Sequence, residues 1–376
     1  MLYTYFVPFN IVCGIFGVRK PSLSPNGKIV NTSVVHRIWS LIIILSLIAG
    51  YCLSSYEIKP ISKVNLLQIS ILNDLANNVI ILLLHNLSGD DITKNLYNCF
   101  IGIVTDLGLH NRRVRILMQK LYFWFSVISI TYIAAIILEI LYDSPPYNLI
   151  IRIPTFLTVF HLIFHLSVLV AILKILNYKL KSETLIDNTL MFPGTKSSTF
   201  YILKYFLNTE ISFIEEINQT QHQHLDLKHL CKIYDKMATC LELLIKLHGL
   251  QVPSLLISKN RNQLTLRFRD NNVKIPWLAC VKTVLPYFWC YIGAYVGDQM
   301  RKQVDSTEII LIKHLINFQC DQTRKTTLET FKQLVGTHRL QFTACSLFDL
   351  SFSMILTMAM NVITYSIILI QLYSSG

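Results

Sequence analysis

Charged residues are scarce in this chain of 376 residues: they make up 15% of it, against roughly 25% in an average soluble protein. Hydrophobic residues make up 52%, and the mean hydropathy is +0.46. Disordered chains and coiled coils carry far more charge, so both classes are excluded. A soluble domain of this composition would lack the polar side chains that cover a water-facing surface. The composition therefore predicts a protein whose main partner is the lipid bilayer.

The chain also lacks the short motifs of the common enzyme classes. It contains no GxGxxG, GxSxG, P-loop or HExxH pattern, which dinucleotide-binding proteins, hydrolases, NTPases and zinc proteases use. Its nine cysteines form no CxxC pair, so neither a zinc site nor a redox pair is predicted. His161 and His165 have the i, i+4 spacing of metal ligands, but no third ligand lies beside them. We therefore expect no enzyme activity, no metal and no cofactor.

The net charge of +12 does not indicate a nucleic-acid partner, because the Lys and Arg residues form no dense patch with interleaved aromatics. Counted on alternate sides of the predicted spans, 23 of them lie on one side and seven on the other. The positive-inside rule then places the N-terminus in the cytoplasm and the C-terminus outside. Five basic residues between 259 and 274 oppose the rule.

Apolar stretches suited to crossing a bilayer, which takes about 20 residues, recur seven times. They predict spans at 38–55, 64–87, 121–142, 148–176, 238–257, 275–296 and 346–373. The fifth is the weakest, because Glu242, Lys246 and Pro253 interrupt it.

The predicted fold class is therefore all-α: a multi-pass membrane protein with seven transmembrane helices. Helical apolar spacing in the long connections, as at Leu230, Ile233 and Met237, predicts that the helices extend into a cytoplasmic anchor bundle. In chain order we expect a cytoplasmic N-terminal segment (1–37), helices 1–4 (38–176), a cytoplasmic connection (177–237), helices 5–6 (238–296), a cytoplasmic anchor helix (297–345) and helix 7 (346–376).

The last span carries one polar stripe. At about 100° per residue its polar side chains fall within roughly an 80° arc; they are Ser346, Ser353, Thr357, Asn361, Thr364 and Gln371. Such a stripe is either a seam where Ser and Thr join neighbouring helices or the wall of a pore formed by several copies of the helix. The residues alone leave both open.

The same span carries a family resemblance. Thr364 and Tyr365, five mostly apolar residues, then Gln371 resemble the C-terminal signature of insect gustatory receptors. Upstream, the segment 342–350 with Cys345 and Phe348 resembles the Ala-Cys and Leu-Phe segment of that family. Ser346 stands where Gly is usual and Leu372 where Phe is usual. The motif covers some 30 residues, and the span pattern agrees over the whole chain.

The resemblance implies a tastant-gated, non-selective cation channel in the plasma membrane, related in fold to insect odorant receptors. It implies a homotetramer, or a heterotetramer with other gustatory receptors, around one pore lined by helix 7. The implied pore residues are Asn361, Thr364, Ile367, Ile368 and Gln371. The ligand would be a sugar or a bitter compound, and the motif does not decide between them.

A ligand pocket is expected in the outer half of the other spans, where aromatic walls carry a few polar groups. The candidates are Tyr132, Glu139, Thr155, His161, His165, Gln251, Tyr287 and Trp289. For Tyr287 an interfacial aromatic belt is an equal alternative, and for the two histidines an interhelical hydrogen bond.

Two rival classes fit the composition. A G-protein-coupled receptor would need the opposite orientation, and its Asp-Arg-Tyr and Asn-Pro-x-x-Tyr motifs are absent. A transporter or membrane enzyme would use paired intramembrane acids or histidines, and the chain has no internal repeat of the transporter kind.

Overall fold

The structure is a computed structural model. It describes scattered positions before residue 34 and between 119 and 130, together with residues 34–57, 66–108, 147–184, 226–249, 276–317, 322–344 and 348–374.

Helices dominate these described residues. They are α1 (Val34–Glu57), α2 (Leu66–Asp106), α3 (Tyr147–Thr184), α4 (Leu227–His248), α5 (Pro276–Asn317), α6 (Gln322–Thr337) and α7 (Phe352–Ser374). Two antiparallel hairpins of two-residue strands accompany them: β1 (Ser22–Leu23) with β2 (Ile29–Val30), and β3 (Thr343–Ala344) with β4 (Phe348–Asp349).

Three of the helices are longer than a bilayer is thick. The helices α2, α3 and α5 contain 41, 38 and 42 residues, which is about 60 Å each at 1.5 Å per residue. The hydrocarbon core measures roughly 30 Å, so about half of each helix would extend beyond it. These helices therefore have the length that an anchor bundle outside the membrane requires.

The protein core forms around α3, which packs against α2, α4 and α5. Within the described part of the chain, Leu157–Lys181 is the one helical stretch that is long and apolar enough to cross a membrane. Of its most apolar window, 89% is buried inside the protein. By contrast, the shorter apolar helix Val34–Gly50 exposes side chains such as Val35 and Leu45.

Helix α4 shows how local sequence sets an element. Asp226 caps its N-terminus, since the carboxylate accepts a hydrogen bond from the Lys228 N–H at 3.3 Å. Leu230, Ile233 and Met237 are buried on one face, as their spacing predicts. The helix begins inside the expected connection and reaches into the expected fifth span at 238–257.

The other bounds differ from the predicted spans mostly at the end that the prediction places in the cytoplasm. Helix α7 begins at Phe352 rather than at 346, because the β3–β4 hairpin precedes it. The predicted third span at 121–142 lies almost wholly outside the described residues. The division of the chain at 37, 176, 237, 296 and 345 stays a prediction.

Candidate functional site

One face of α7 is left uncovered by the rest of the chain. The described polar residues of the predicted stripe, Ser353, Thr357, Thr364 and Gln371, are all exposed. At about 100° per residue they fall within an arc of about 40°. The described stripe residues are thus exposed along about 27 Å of helix.

Two of the stripe hydroxyls are bonded within α7, and the Ser353 hydroxyl lies 2.7 Å from that of Ser351, just before the helix. Thr357 donates to the Ser353 carbonyl at 2.9 Å, and Thr364 donates to the Met360 carbonyl at 2.9 Å. A hydroxyl that is satisfied by the preceding turn does not need a partner on another helix. Its lone pairs remain available on the exposed face, which suits both a helix seam and a water-lined wall.

Apolar side chains border the stripe on both sides. Ile367 is 50% and Ile368 is 43% exposed, next to the level of Gln371. Copies of this face around an axis would place a ring of isoleucines beside a ring of amides. An apolar constriction of this kind closes a pore by dewetting.

The remaining motif residues of this region are placed only in part. Asn361 and Tyr365 lie on α7, but their side chains are outside the described residues, as is Cys345. Phe348 lies in β4 and pairs with Ala344 in the hairpin register. The described residues of the family segment 342–350 therefore include two short paired strands before α7, which the sequence pattern did not predict.

The N-terminal end of α7 docks on α5. The Leu350 N–H donates to the Phe342 carbonyl at 3.1 Å and closes the hairpin. Asp298 of α5 accepts a hydrogen bond from the Phe352 N–H at 3.3 Å, and Arg301 of α5 pairs with Asp349 at 3.3 Å. Two helices distant in sequence thus meet at the first residue of α7.

The two candidate pocket residues with described side chains lie in a packed core. His161 is 8% and His165 is 0% exposed. Nδ1 of His161 lies 3.0 Å from Nε2 of His248 on α4, a partner that the sequence did not reveal. The interhelical hydrogen bond that we weighed as an alternative is present for His161.

His165 is enclosed by aromatic rings. Its Nδ1 donates to the His161 carbonyl at 2.7 Å, and its ring centroid lies 5.8 Å from Tyr97 and 5.5 Å from Phe100, both on α2. The imidazole therefore ties α3 to α2 by packing. Its role in ligand binding stays a prediction.

The other six pocket candidates are outside what the structure describes in detail. Thr155, Tyr287 and Trp289 lie on α3 and α5 with side chains not described, and Tyr132, Glu139 and Gln251 lie outside the described residues. Among the described residues, no group of three or more His, Cys, Asp or Glu side chains could hold a metal ion.

The architecture is that of a seven-helix chemosensory receptor. The chain is similar to the insect olfactory receptor OR5 from Machilis hrabei, with 13% sequence identity, a TM-score of 0.59, and coverage of 99% of this chain and 98% of that one. For the structure of OR5 in complex with eugenol the values are 10% identity, a TM-score of 0.58, and the same coverage. At these identities the likeness establishes the fold.

The chain belongs to the 7tm chemosensory receptor family, whose sequence profile matches residues 1–375. No curated protein sequence matches it closely enough to be reported as a relative. Family membership confirms the resemblance that the Thr364, Tyr365 and Gln371 motif suggested. It also confirms the all-α multi-pass fold class and the prediction that the chain is a receptor rather than an enzyme.

Proposed function

We propose that this protein is a taste receptor: a plasma-membrane cation channel gated by a small-molecule tastant and assembled as four subunits around a pore lined by α7. The assembly contains either four copies of this chain or this chain with other gustatory receptors. In this proposal the N-terminus is cytoplasmic and the C-terminus is outside.

The observation that carries the proposal is the uncovered polar stripe of α7. A single chain leaves Ser353, Thr357, Thr364 and Gln371 exposed in one line on a helix that is otherwise rich in Ile, Leu and Met. Lipid is a poor solvent for such a line. Water inside a pore is a good one, and four copies of α7 would enclose it.

The chemistry of the stripe indicates weak ion selectivity. Hydroxyls and amides are neutral dipoles, so a pore that they line passes hydrated cations without binding them tightly. Gln371 lies near the end of α7, at the outer mouth in this orientation. The neighbouring isoleucines 367 and 368 would form the gate that closes by excluding water.

The test is to introduce charge at Gln371, which would form a ring at the outer mouth of the proposed pore. Gln371→Glu should raise the preference for cations over anions, and Gln371→Lys should lower or reverse it, both seen as shifts of the reversal potential in asymmetric salt. Asn98 is a matched control, because it is an exposed amide on α2, away from α7. Asn98→Glu and Asn98→Lys should leave the reversal potential unchanged. If the Gln371 variants behave like the Asn98 variants, α7 does not line the pore.

For the ligand we propose the outer pocket and test Glu139 first. A sugar needs several hydroxyl partners and a carboxylate, whereas a bitter compound needs more apolar wall. A panel of sugars, alkaloids and amino acids applied to expressed receptor identifies the class. Glu139→Gln should weaken a sugar response at least about tenfold, and should leave the response to an apolar bitter compound nearly unchanged.

The orientation has a direct test. An epitope tag after Gly376 should stain intact cells as strongly as permeabilised ones. Staining that requires permeabilisation, with the receptor present at the surface, would overturn the proposed orientation and the placement of Gln371 at the outer mouth.

A further inference from the structure

Gly297 lies in the interior of α5, where a glycine is costly. A glycine in a helix interior destabilises it by about 1 kcal/mol relative to alanine, so a packing reason is expected. A Cβ atom at this position would lie 1.9 Å from the Leu350 carbonyl oxygen and 2.9 Å from its carbon. Both are backbone atoms of the segment before α7. Only glycine permits this approach.

The next residue of α5 fixes where α7 begins. The first N–H groups of any helix lack partners within that helix, and a carboxylate there is also favoured by the helix dipole. At α7 the carboxylate comes from another helix, since Asp298 accepts the Phe352 N–H at 3.3 Å. The start of α7 is therefore held by α5.

Two further contacts extend the same face of α5. Arg301, one turn beyond Gly297, pairs with Asp349 at 3.3 Å, with both side chains about 40% exposed. An exposed ion pair of this kind adds little stability, but it favours one orientation of the two segments. On the other side, the Tyr291 ring lies 5.2 Å from the Phe352 ring. The residues around the start of α7 therefore contact α5 on both sides of Gly297.

We propose that Gly297 and Asp298 form a clamp that fixes the inner end of α7 to α5, and that Gly297 is a positioning residue for opening the pore. The inference rests on the proposed channel function. Helix α5 is a single helix of 42 residues, and it also carries the pocket candidates Tyr287 and Trp289. A tilt of α5 caused by ligand would move the clamped end of α7 directly.

The chain offers a matched control one turn away. A Cβ at Gly293 would lie 3.6 Å from the Leu350 Cδ1 atom, which is an ordinary contact. Gly293→Ala and Gly297→Ala therefore make the same chemical change in the same helix. Only Gly297→Ala displaces the backbone of the segment before α7.

The first readout does not depend on conduction or on a ligand. Ser353→Cys places a thiol on the exposed stripe at the inner end of α7, and a water-soluble methanethiosulfonate reagent labels it in isolated membranes. Gly297→Ala should change the labelling rate by at least about threefold, the low end of such coupling effects, whereas Gly293→Ala should leave it within about twofold. Equal rates for the two glycine variants would overturn the clamp.

A second pair of variants covers the case in which Gly297→Ala fails to fold. Asp298→Ala removes the acceptor and should change the labelling rate in the same direction, while Asp298→Asn keeps an oxygen acceptor and should stay near the wild-type rate. The reverse order would overturn the clamp.

The second readout separates the clamp from the channel proposal. In the same variants the ratio of basal to maximal current should rise or fall at least threefold for Gly297→Ala and not for Gly293→Ala. If Gln371 variants alter selectivity but Gly297→Ala leaves both readouts unchanged, the clamp is wrong and the channel stands. If labelling follows the clamp but Gln371 variants change nothing, the pore assignment is wrong.

Discussion

A buried polar junction joins α3 to α5 and gives a sharp test of the packing. The Asn177 Nδ2 atom donates to the Gln303 carbonyl at 2.8 Å and lies 3.2 Å from its side-chain oxygen. Its Oδ1 atom accepts from the Thr307 hydroxyl at 2.6 Å. Asn177 is 4% and Thr307 is 0% exposed. Two of the longest helices are therefore held in register by one amide and one hydroxyl.

The expected loss of stability follows from the hydrogen-bonding groups that each substitution leaves without a partner. Thr307→Val keeps the shape but leaves the Asn177 Oδ1 atom without that donor, which costs about 1–3 kcal/mol. Asn177→Ala removes two to three hydrogen bonds, also about 1–3 kcal/mol. The Thr307 hydroxyl keeps an acceptor in that variant, because it lies 2.9 Å from the Gln303 carbonyl. Since both single changes break the same bond, the double variant should cost about 1 kcal/mol less than their sum.

The assay heats detergent-solubilised receptor to a series of temperatures and measures the folded fraction by size-exclusion chromatography. The midpoint of its loss is the apparent melting temperature. For a chain of this size about 2 °C corresponds to 1 kcal/mol. Thr330→Val is the control, because Thr330 is exposed on α6 and donates within its own helix to the Thr326 carbonyl, at 2.8 Å. It should shift the midpoint by less than about 1 °C. Additive shifts in the double variant, or a Thr307→Val shift as small as the control, would refute the junction.

Three more predictions concern side chains of α2, α4, α5 and α6. Phe331→Ala should lower the melting temperature more than Phe331→Leu, because Phe331 is 0% exposed and truncation costs about 3–5 kcal/mol; equal shifts would contradict its core position. Burial lowers the pKa of His314 below its ordinary value. Below about pH 6.5 the unfolded chain therefore binds a proton at His314 more readily than the folded state does, which lowers the free energy of unfolding. Melting temperatures measured from about pH 7.5 to 5.5 should therefore fall for the wild type and fall less for His314→Gln. A hydrogen bond with the Cys240 thiol lowers the pKa of Cys99, whereas burial raises the pKa of Cys231. Maleimide should therefore label Cys99 faster than Cys231, and Cys240→Ala should remove the difference, as peptide mass spectrometry would report.

Patterns that depend on one helix were predictable from the sequence. The shared face of Ser353, Thr357 and Thr364 follows from the helical repeat alone, and the structure leaves that face uncovered. The same holds for the buried face of α4. The helical repeat shows which residues share a face, whatever the helix packs against.

Contacts between distant segments were not predictable in this way. Nothing in the sequence around Gly297 signals that the Leu350 backbone will lie against it, and nothing around His161 signals His248. The segment before α7 was included in the last span because its composition is apolar. The start of α7, directly after the hairpin, is docked against a part of α5 that lies about 50 residues earlier in the chain.

Hydropathy alone also confuses two uses of apolar side chains. Both α1 and α3 are rich in Ile and Leu, and both were predicted as spans. In α1 most of the apolar side chains, such as Val35 and Leu45, are exposed, whereas Ile44 and Leu47 are buried. Only lipid or a neighbouring subunit can cover the exposed ones without cost. In α3 the same residue types are buried against α2, α4 and α5, and that burial would stabilise the helix in water as well. The bounds of a span in this fold therefore follow from which side chains remain uncovered, since a buried stretch of α3 is as apolar as a span whether or not it lies in the membrane.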